Sequence, residues 1–282
     1  MSIWQLSRSR QWLGWLGLTV LVALVCCALG TWQFARRAEA QAEIAKVEAN
    51  YDREPVPFAE ELAAVDDWDE QQEWTPVVVE GEYLVDDEML VRNRPRAGRV
   101  GYEVLTPLRL ADGTIFIVNR GWIPSAGLNQ ASEVPAAPTG EVEVVARLKP
   151  TEPQIAGRTD PEGTNQVATI RLEGIDERLG GGVHTGAYGQ LVSEDPSPAE
   201  QAQLAVRPVL DEGPHLSYAL QWFVFATLAF IGYGYLLRQE WRRVNADDPE
   251  ERVRADERRR RAALRKPSDA EDEDALLDAA GR

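Results

Sequence analysis

Cysteine and histidine, the residues from which many catalytic and metal centres are built, are scarce in this sequence. Of 282 residues, two are cysteine and two are histidine. The cysteines are neighbours, Cys26 and Cys27, which excludes a disulfide framework and a thiolate-rich metal site. His184 and His215 are too few for a multi-histidine centre, and no GxSxG, P-loop or HExxH motif occurs. We therefore expect a protein that is not an enzyme.

An excess of positive charge is absent too. The chain carries 30 Lys and Arg against 46 Asp and Glu, a net charge of −16. A nucleic-acid partner is not expected, because binding phosphates needs a basic face. The charge is unevenly spread: residues 1–37 hold four arginines and no acid, whereas residues 38–214 hold 14 basic and 33 acidic side chains. The acidity therefore belongs to the middle of the chain.

Two long stretches contain no charged residue. They run from Trp12 to Gly30 and from Leu216 to Leu237, and each matches the roughly 20 residues with which a helix crosses a bilayer. One alternative is a pair of buried core helices. Another is a cleaved signal peptide ending at Ala28-Leu29-Gly30, although the first run exceeds the roughly 7–15 apolar residues of a signal peptide. The sequence favours two uncleaved transmembrane helices in a lipid bilayer.

The arginines that flank the second run predict its orientation. Arg238, Arg242 and Arg243 follow it closely, whereas only Arg207 precedes it within a dozen residues. Because basic residues concentrate on the cytoplasmic side, we expect the C-terminus in the cytoplasm. Because the chain is expected to cross the membrane twice, the N-terminus should lie on the same side as the C-terminus. The prediction is a multi-pass protein of the cell (plasma) membrane, with both termini cytoplasmic and the central domain extracytoplasmic.

The central region predicts a β-rich domain preceded by a helical extension. Helix-forming residues continue the first helix to about Tyr51, and an acidic loop follows. A short helix is expected at 174–179. Candidate strands, several joined by Gly-containing turns, are 76–85, 89–93, 100–110, 114–123, 141–149, 166–172, 184–193 and 205–210. The fold class is therefore an α+β membrane protein, in which two transmembrane helices bracket a mainly antiparallel β-barrel or sandwich.

The chain accordingly divides into six parts, and the last is a run of mixed charge. Its segment Arg258–Arg261 contacts anionic lipid or a partner, or else is a solvated charge run, and composition favours the second reading. The parts are a cytoplasmic N-terminus (1–11), transmembrane helix 1 (12–30), a helical extension and acidic linker (31–73), the extracytoplasmic β-rich domain (74–214), transmembrane helix 2 (215–237) and a largely disordered charged tail (238–282).

His215 is the candidate functional residue. It follows Gly213-Pro214 at the start of the second apolar helix, and an ionisable residue at a membrane boundary is a functional candidate. The positive helix N-terminus favours the neutral ring, which can ligate a metal. The alternative is an interfacial histidine that makes a hydrogen bond. His184, beside a glycine-rich loop, is expected at the surface. One helix face carries His215 together with Tyr218, Ala219, Trp222, Ala226 and Ala229.

Three blocks of residues together resemble the surfeit locus 1 family of cytochrome c oxidase assembly factors. The blocks are Leu29–Arg37 (LGTWQFARR), Pro107-Leu108 with Ile117–Pro124 (IVNRGWIP), and His215–Phe223 (HLSYALQWF). They are similar to the family's LGxWQxxR, VNRGWxP and HLxYAxQWF patterns. The resemblance covers roughly residues 12–243 and leaves the charged tail outside. Within the second block, we expect Gly121 to permit a bulge and Trp122 to pack.

The resemblance implies a transient haem a binder that helps insert haem into the catalytic subunit of the oxidase. Carried over, the proposed iron ligand is His215, with Tyr218 and Trp222 on the same helix. Trp32, Gln33 and Arg36 come from the first helix at the same level. Arg36 is either a counter-charge for haem propionates or a snorkelling interfacial residue. The implied partners are oxidase subunits and haem a synthase. A permanent oxidase subunit without haem chemistry and an anchored binding or sensor module remain alternatives.

Overall fold

The computed structural model describes residues 2–127 and 130–263, and the chain forms two compact units. One comprises Met1–Ala38 with Gly213–Arg282, and the other comprises Glu39–Glu212. Of the tail 238–282 that the sequence predicts to be largely disordered, residues 264–282 lie outside the described residues, and 238–244 and 249–263 are helical. We therefore describe the helical unit and the sheet unit separately.

The helical unit contains the two charge-free runs, and both are helical as predicted. Both helices are long and apolar enough to cross a membrane. The longer one ends at Asn50, close to the expected end at Tyr51, and its last residues belong to the sheet unit. A further helix, α6, lies within the tail that the sequence analysis expects to be largely disordered. The helices are α1 (Ile3–Ser7), α2 (Arg10–Asn50), α5 (His215–Val244) and α6 (Pro249–Ala263).

Helices α2 and α5 pack antiparallel along a seam of small and aromatic residues. Trp12 meets Tyr233 edge-on near one end, with 5.8 Å between ring centroids. Further along, Ala23 and Cys26 pack with Ala226, with Trp222 beside them. Small side chains let two helix backbones approach closely where no water drives association. Cys26 is buried and acts as the small apolar filler that its position indicates.

The sheet unit is built on one mainly antiparallel nine-stranded sheet. Its strands run in the order β1-β2-β7-β9-β5-β4-β3-β8, with β6 beside β5. The strands are β1 (Val56–Pro57), β2 (Pro76–Tyr83), β3 (Met89–Arg96), β4 (Arg99–Arg109), β5 (Ile115–Gly127), β6 (Gln130–Ala131), β7 (Glu141–Pro150), β8 (Gln166–Val167) and β9 (Ala187–Asp195). Helices α3 (Phe58–Glu61) and α4 (Leu172–Leu179) accompany them.

The sheet closes into a barrel because β2 also pairs with β4, through Glu82↔Arg109 and Tyr83↔Leu108. Gly81 permits this closure: a Cβ at that position would lie 2.4 Å from the backbone oxygen of Arg109. The barrel interior is filled by side chains such as Leu108 and Phe116, both fully buried. Closure of the five strands β2, β7, β9, β5 and β4 removes their free edges, and the large apolar side chains inside stabilise the barrel.

Alternate residues of β5 face a second core outside the barrel. Ile117 packs there with Met89 and Leu172, all fully buried, under β8 and α4. The helix predicted at 174–179 begins earlier, at Leu172, because this side chain and Ile175 are needed in the core. The predicted strand 166–172 is correspondingly limited to Gln166–Val167.

Two further expectations are wrong. Residues 205–210 form no strand: Pro208 lacks an amide hydrogen for a ladder, and Val206 and Val209 are 71% and 87% exposed. His184 is not at the surface but 5% exposed, since it packs edge-on against Phe58 at 4.9 Å between ring centroids. A glycine-rich loop precedes His184, as expected, but the chain then turns inward.

Candidate functional site

His215 and Gln33 form the polar contact at one end of the α2–α5 seam. The Nδ1 atom of His215 lies 2.8 Å from Oε1 of Gln33. An amide oxygen only accepts hydrogen bonds, so the ring donates from Nδ1. In a neutral ring with this hydrogen bond, the lone pair is on Nε2. This is the arrangement in which proteins hold a metal-ligating histidine, with one nitrogen fixed by an acceptor and the other directed at the metal.

Gly213 and Pro214 precede His215 at the start of α5. Gly213 has φ +70, which only glycine adopts readily, and a Cβ there would lie 3.5 Å from Nε2 of His215, in ordinary van der Waals contact. Pro214 is the N-cap residue of the helix and makes no side-chain capping bond. The Gly-Pro-His order therefore sets the ring at the first residue of α5, with no side chain of residue 213 against its Nε2 edge.

The flanks of the seam can be assigned from aromatic contacts. Phe34 lies 6.2 Å from Phe223 between ring centroids, and a Cβ on Gly30 would lie 2.8 Å from the Phe223 ring. These residues mark one flank. Successive residues are about 100° apart around a helix. Starting from the Gln33–His215 contact, Phe34 is reached around α2 and Phe223 around α5 by rotation in the same sense, which in an antiparallel pair places both on one side. Residues rotated in the opposite sense lie on the other flank.

That second flank, here called the aromatic flank, carries the remaining sequence-predicted site residues. On α2 it includes Trp32 and Arg36, and on α5 it includes Tyr218. Trp32 is 55% exposed, Tyr218 is 49% exposed and Arg36 is exposed. Trp222 is half-buried at the seam and meets Phe225 edge-on at 5.9 Å. The tertiary structure thus brings Gln33 to His215 and arranges the other four around the same end of the helix pair.

The aromatic flank continues along the helices as an apolar groove. Its volume is about 310 Å³, and its walls include Leu18 and Val22 of α2 with Ala229 and Gly232 of α5. The lining combines the small Ala229 and Gly232 of α5 with large side chains from both helices, and it includes Trp12, Trp15, Thr19 and Tyr233. The flank therefore offers aromatic and polar groups at the His215 end and a mainly apolar groove further along.

Sequence reasoning missed the residues that close the opposite flank, Gly30, Phe34 and Phe223. All three lie inside the two motif blocks at the ends of the apolar runs, so the signal was present. Their role required knowing which face of α2 meets which face of α5. Periodicity within one helix cannot supply that information.

A second polar cluster lies inside the barrel and involves Arg120 of the IVNRGWIP block. Arg120 is 2% exposed, and its Nη2 lies 3.3 Å from Oε1 of Glu194. Tyr83 donates to the other oxygen of Glu194 at 2.8 Å. Burial and the carboxylate together raise the pKa of Tyr83. Arg120 also donates to the carbonyls of Pro135 and Ala136, at 3.0 and 3.1 Å, and so fixes that loop to the barrel.

The neighbours of Arg120 have the structural roles expected of them. The β4–β5 register shifts where Val104 pairs with Gly121 and Leu105 pairs with Asn119, so Arg120 occupies a bulge. Gly121 has φ +127. Trp122 is 4% exposed and donates from Nε1 to the carbonyl of Arg94 at 2.8 Å. The block therefore builds the barrel wall.

A cleft of about 660 Å³ opens between α3 and the β4–β5 turn. Its walls are mainly apolar, with Phe58, Leu62 and Val79, and Asp112 and His184 supply polar groups. Burial lowers the pKa of His184, although Asp112 opposes this effect. The Nε2 atom of His184 is 3.1 Å from the hydroxyl of Thr114. The ring is therefore a core histidine held by the turn.

Within residues 2–127 and 130–263 the structure contains no metal site built from several side chains. No cluster of three or more His, Cys, Asp or Glu side chains in that part of the chain could hold a metal ion. One histidine with a fixed tautomer suits an axial ligand to a metal that already has other donors, such as a haem iron. It does not suit a bare ion.

Comparison with known proteins matches most of the chain. The SURF1 family model matches residues 20–227. An uncharacterized SURF1-like protein of Mycobacterium tuberculosis is 35% identical over 237 residues, which cover 81% of this chain and 85% of that protein. Surfeit locus protein 1 of Xenopus tropicalis is 31% identical over 51% of this chain and 52% of its own length. Cytochrome oxidase assembly protein SHY1 of Saccharomyces cerevisiae is 33% identical over 38% of this chain and 28% of its own length.

Proposed function

The chain belongs to the SURF1 family, and on that premise we propose that it is a membrane-anchored assembly factor for cytochrome c oxidase. The similarity to a protein named for cytochrome oxidase assembly supports this role. In the proposal the protein is not an enzyme: it binds haem a transiently and presents it to the haem-bearing catalytic subunit. Haem a synthase is the proposed donor of the haem.

The observation that carries the haem proposal is the 2.8 Å contact between His215 Nδ1 and Gln33 Oε1. It would hold the imidazole in the tautomer that ligates through Nε2, and glycine at position 213 keeps a side chain away from that edge of the ring. Gln33 is thus a positioning residue, and His215 is the proposed axial ligand to the iron. The two residues come from different helices, so the ligand is correctly oriented only when α2 and α5 are packed together.

The aromatic flank provides the remaining contacts that a haem would need. Trp32 and Tyr218 offer flat apolar surfaces near His215, and Trp222 offers another about two helical turns further along α5; all three would pack against the macrocycle. Arg36, also on this flank, would pair with a propionate through its guanidinium fork. A single protein ligand leaves the other axial position of the iron without a strong protein donor, which suits a cargo that must be released.

Both helices are proposed to span the cell membrane, with the sheet unit on the extracytoplasmic side and both termini in the cytoplasm. The arginines in the last turns of α5 support this orientation through the positive-inside rule. His215 then lies at the outer boundary of the bilayer. A haem held there would be presented at the outer face of the membrane, on the same side as the sheet unit. We assign oxidase docking to the sheet unit.

The experiment is an absorption spectrum of the full chain purified from cells that make haem a. We expect a Soret band that His215→Ala weakens at least tenfold. Gln33→Leu should leave a band of reduced intensity with altered position, because the ring loses its orienting acceptor while the ligand remains. The matched control is His184→Gln, which removes the other histidine and should leave the band unchanged.

Three results would contradict parts of this proposal separately. An unchanged Soret band in His215→Ala would exclude His215 as the ligand. A deletion strain that retains fully haemylated oxidase would exclude the assembly role altogether. Co-purification with mature oxidase at fixed stoichiometry would favour a permanent subunit instead.

A further inference from the structure

The cytoplasmic-side end of the helical unit contains a basic cleft. Its volume is about 500 Å³, and five of its eight lining residues are arginines. The lining consists of Arg242, Arg243 and Ala246 at the end of α5 and just beyond it, and Arg252, Ala255, Asp256, Arg258 and Arg259 of α6. From the sequence alone, Arg258–Arg261 is more simply a solvated charge run. In the structure, Arg258 and Arg259 line the same cleft as Arg242 and Arg243 of α5.

The lining of the cleft carries more positive than negative charge. Five guanidinium groups and one carboxylate, that of Asp256, line it. Two of the arginines also have carboxylates nearby: Arg243 lies 3.7 Å from Glu240, and Arg252 lies 2.9 Å from Asp247. Such an excess between two helices attracts an anion.

The position of the cleft along α5 indicates which kind of anion lies near it. Immediately before it, Leu237 packs with Leu6 and Trp12, and Tyr233 and Trp241 lie against this cluster. Tryptophan and tyrosine concentrate where a bilayer meets water. Arg242 and Arg243 come one and two residues after Trp241. The cleft therefore lies at the depth of lipid headgroups, with α6 forming its far wall.

We propose that this cleft binds the phosphodiester headgroup of an anionic phospholipid in the cytoplasmic leaflet. Guanidinium groups from both helices pair with phosphate oxygens, and a fork geometry suits this anion better than a point charge does. Basic residues directly cytoplasmic of a span are attracted to anionic lipid. The inference goes beyond haem handling and requires only that α5 crosses the bilayer.

The experiment measures lipid binding by the full chain in neutral detergent, with native mass spectrometry and titration. The probes are phosphatidylglycerol, phosphatidylcholine, inorganic phosphate and pyrophosphate. We expect selective retention of phosphatidylglycerol. Arg242→Gln/Arg259→Gln removes one arginine from each wall and should weaken that binding by about 10- to 30-fold, given the usual contribution of each basic residue near a membrane surface. Asp256→Asn should strengthen it.

The control is Arg53→Gln/Arg109→Gln, which makes the same change in charge at exposed positions of the sheet unit. It should bind phosphatidylglycerol as the unmodified chain does. An equal loss in both double variants would overturn the proposal, because attraction would then depend on net charge alone. Equal binding of phosphatidylcholine, or comparable affinity for inorganic phosphate or pyrophosphate, would also overturn it. If the double variant fails to fold, an unchanged affinity in Asp256→Asn provides the contrary result.

Discussion

At the scale of single residues, Arg120 and Glu194 place opposite charges inside the barrel. The exposed fraction of each is below 5%. Removing a charge from water is costly, and the ion pair offsets this cost only while both partners and their hydrogen bonds are present. The pair therefore serves chiefly to fix the positions of Tyr83 and the loop at Pro135-Ala136 that hydrogen-bond to it.

Arg120→Met is expected to lower the free energy of unfolding by about 3–5 kcal/mol, because Glu194 is left buried without its counter-charge. Arg120→Met/Glu194→Met should recover only part of that loss: the buried Glu194 charge is gone, but Tyr83, the carbonyls of Pro135 and Ala136, and the Glu88 carboxylate lose their partners. Chemical unfolding of the full chain in detergent measures both values. Arg109→Met, at an exposed position, is the control and should change stability by less than about 0.5 kcal/mol. A double variant as unstable as the single one would contradict this account.

Glu73 predicts a pH dependence of stability. Burial raises its pKa, but Lys149 and Lys46 outweigh burial and hold the pKa below its ordinary value of 4.5. The folded chain therefore binds fewer protons here than the unfolded chain. This stabilisation is present above pH 4.5 and is lost as the pH falls below that value.

We expect Glu73→Gln to destabilise the protein by about 1–2 kcal/mol at pH 6, because two charge-assisted hydrogen bonds are weakened. The difference from the unmodified chain should shrink as the pH falls from 4.5 towards 3. Unfolding curves across that range measure it. Glu80→Gln, an exposed matched change on β2, should show little difference at any pH. A gap for Glu73→Gln that stays constant with pH would exclude this linkage.

At the scale of elements, the closure of β2 on β4 depends on a glycine. The Cβ of any other residue at position 81 would meet the backbone of Arg109, and a backbone oxygen in a paired strand cannot move aside as a side-chain tip can. Alternation within β2 predicts its buried face but not this approach. The sequence therefore predicts strand β2, but only the closed barrel explains why its residue 81 must be glycine.

Gly81→Ala is expected to destabilise the protein by about 1–3 kcal/mol, the usual cost of forcing atoms into a packed site. Thermal unfolding with a circular-dichroism readout measures the change. Gly127→Ala is the control, because its nearest neighbour is the flexible Gln130 side chain at 3.8 Å. If both variants unfold at the same temperature, steric closure at Gly81 is not limiting.

At the scale of the whole molecule, the apolar helices and the acidic sheet unit require different solvents. Large apolar side chains of α2 and α5 are widely exposed, including Leu24 at 62% and Ile231 at 60%. The same exposure in water would be a large aggregation-prone surface. In a bilayer these side chains face acyl chains, so the helical unit is compatible with a membrane environment.

Labelling of single cysteines tests the proposed orientation. In a chain with Cys26 and Cys27 replaced by alanine, Gln154→Cys in the sheet unit should react with a membrane-impermeant maleimide in intact cells. Val253→Cys, 62% exposed on α6, should react only after the membrane is permeabilised. The reverse pattern would invert the topology, and labelling of both in intact cells would contradict two spans.

The sequence by itself determined the helical runs, their flanking arginines, the acidic centre and most of the strands. These properties depend on neighbours along the chain, through hydrophobic period, helix propensity and turn residues. Two predictions from local sequence were wrong because tertiary contacts decided the outcome. His184 packs in the core against Phe58, and residues 205–210 do not join the sheet. Only the tertiary structure brought Gln33 to His215, 182 residues apart, and Arg120 to Glu194, 74 residues apart. Such pairs form because helix packing and sheet closure bring distant segments together, and no pattern within either segment encodes the other.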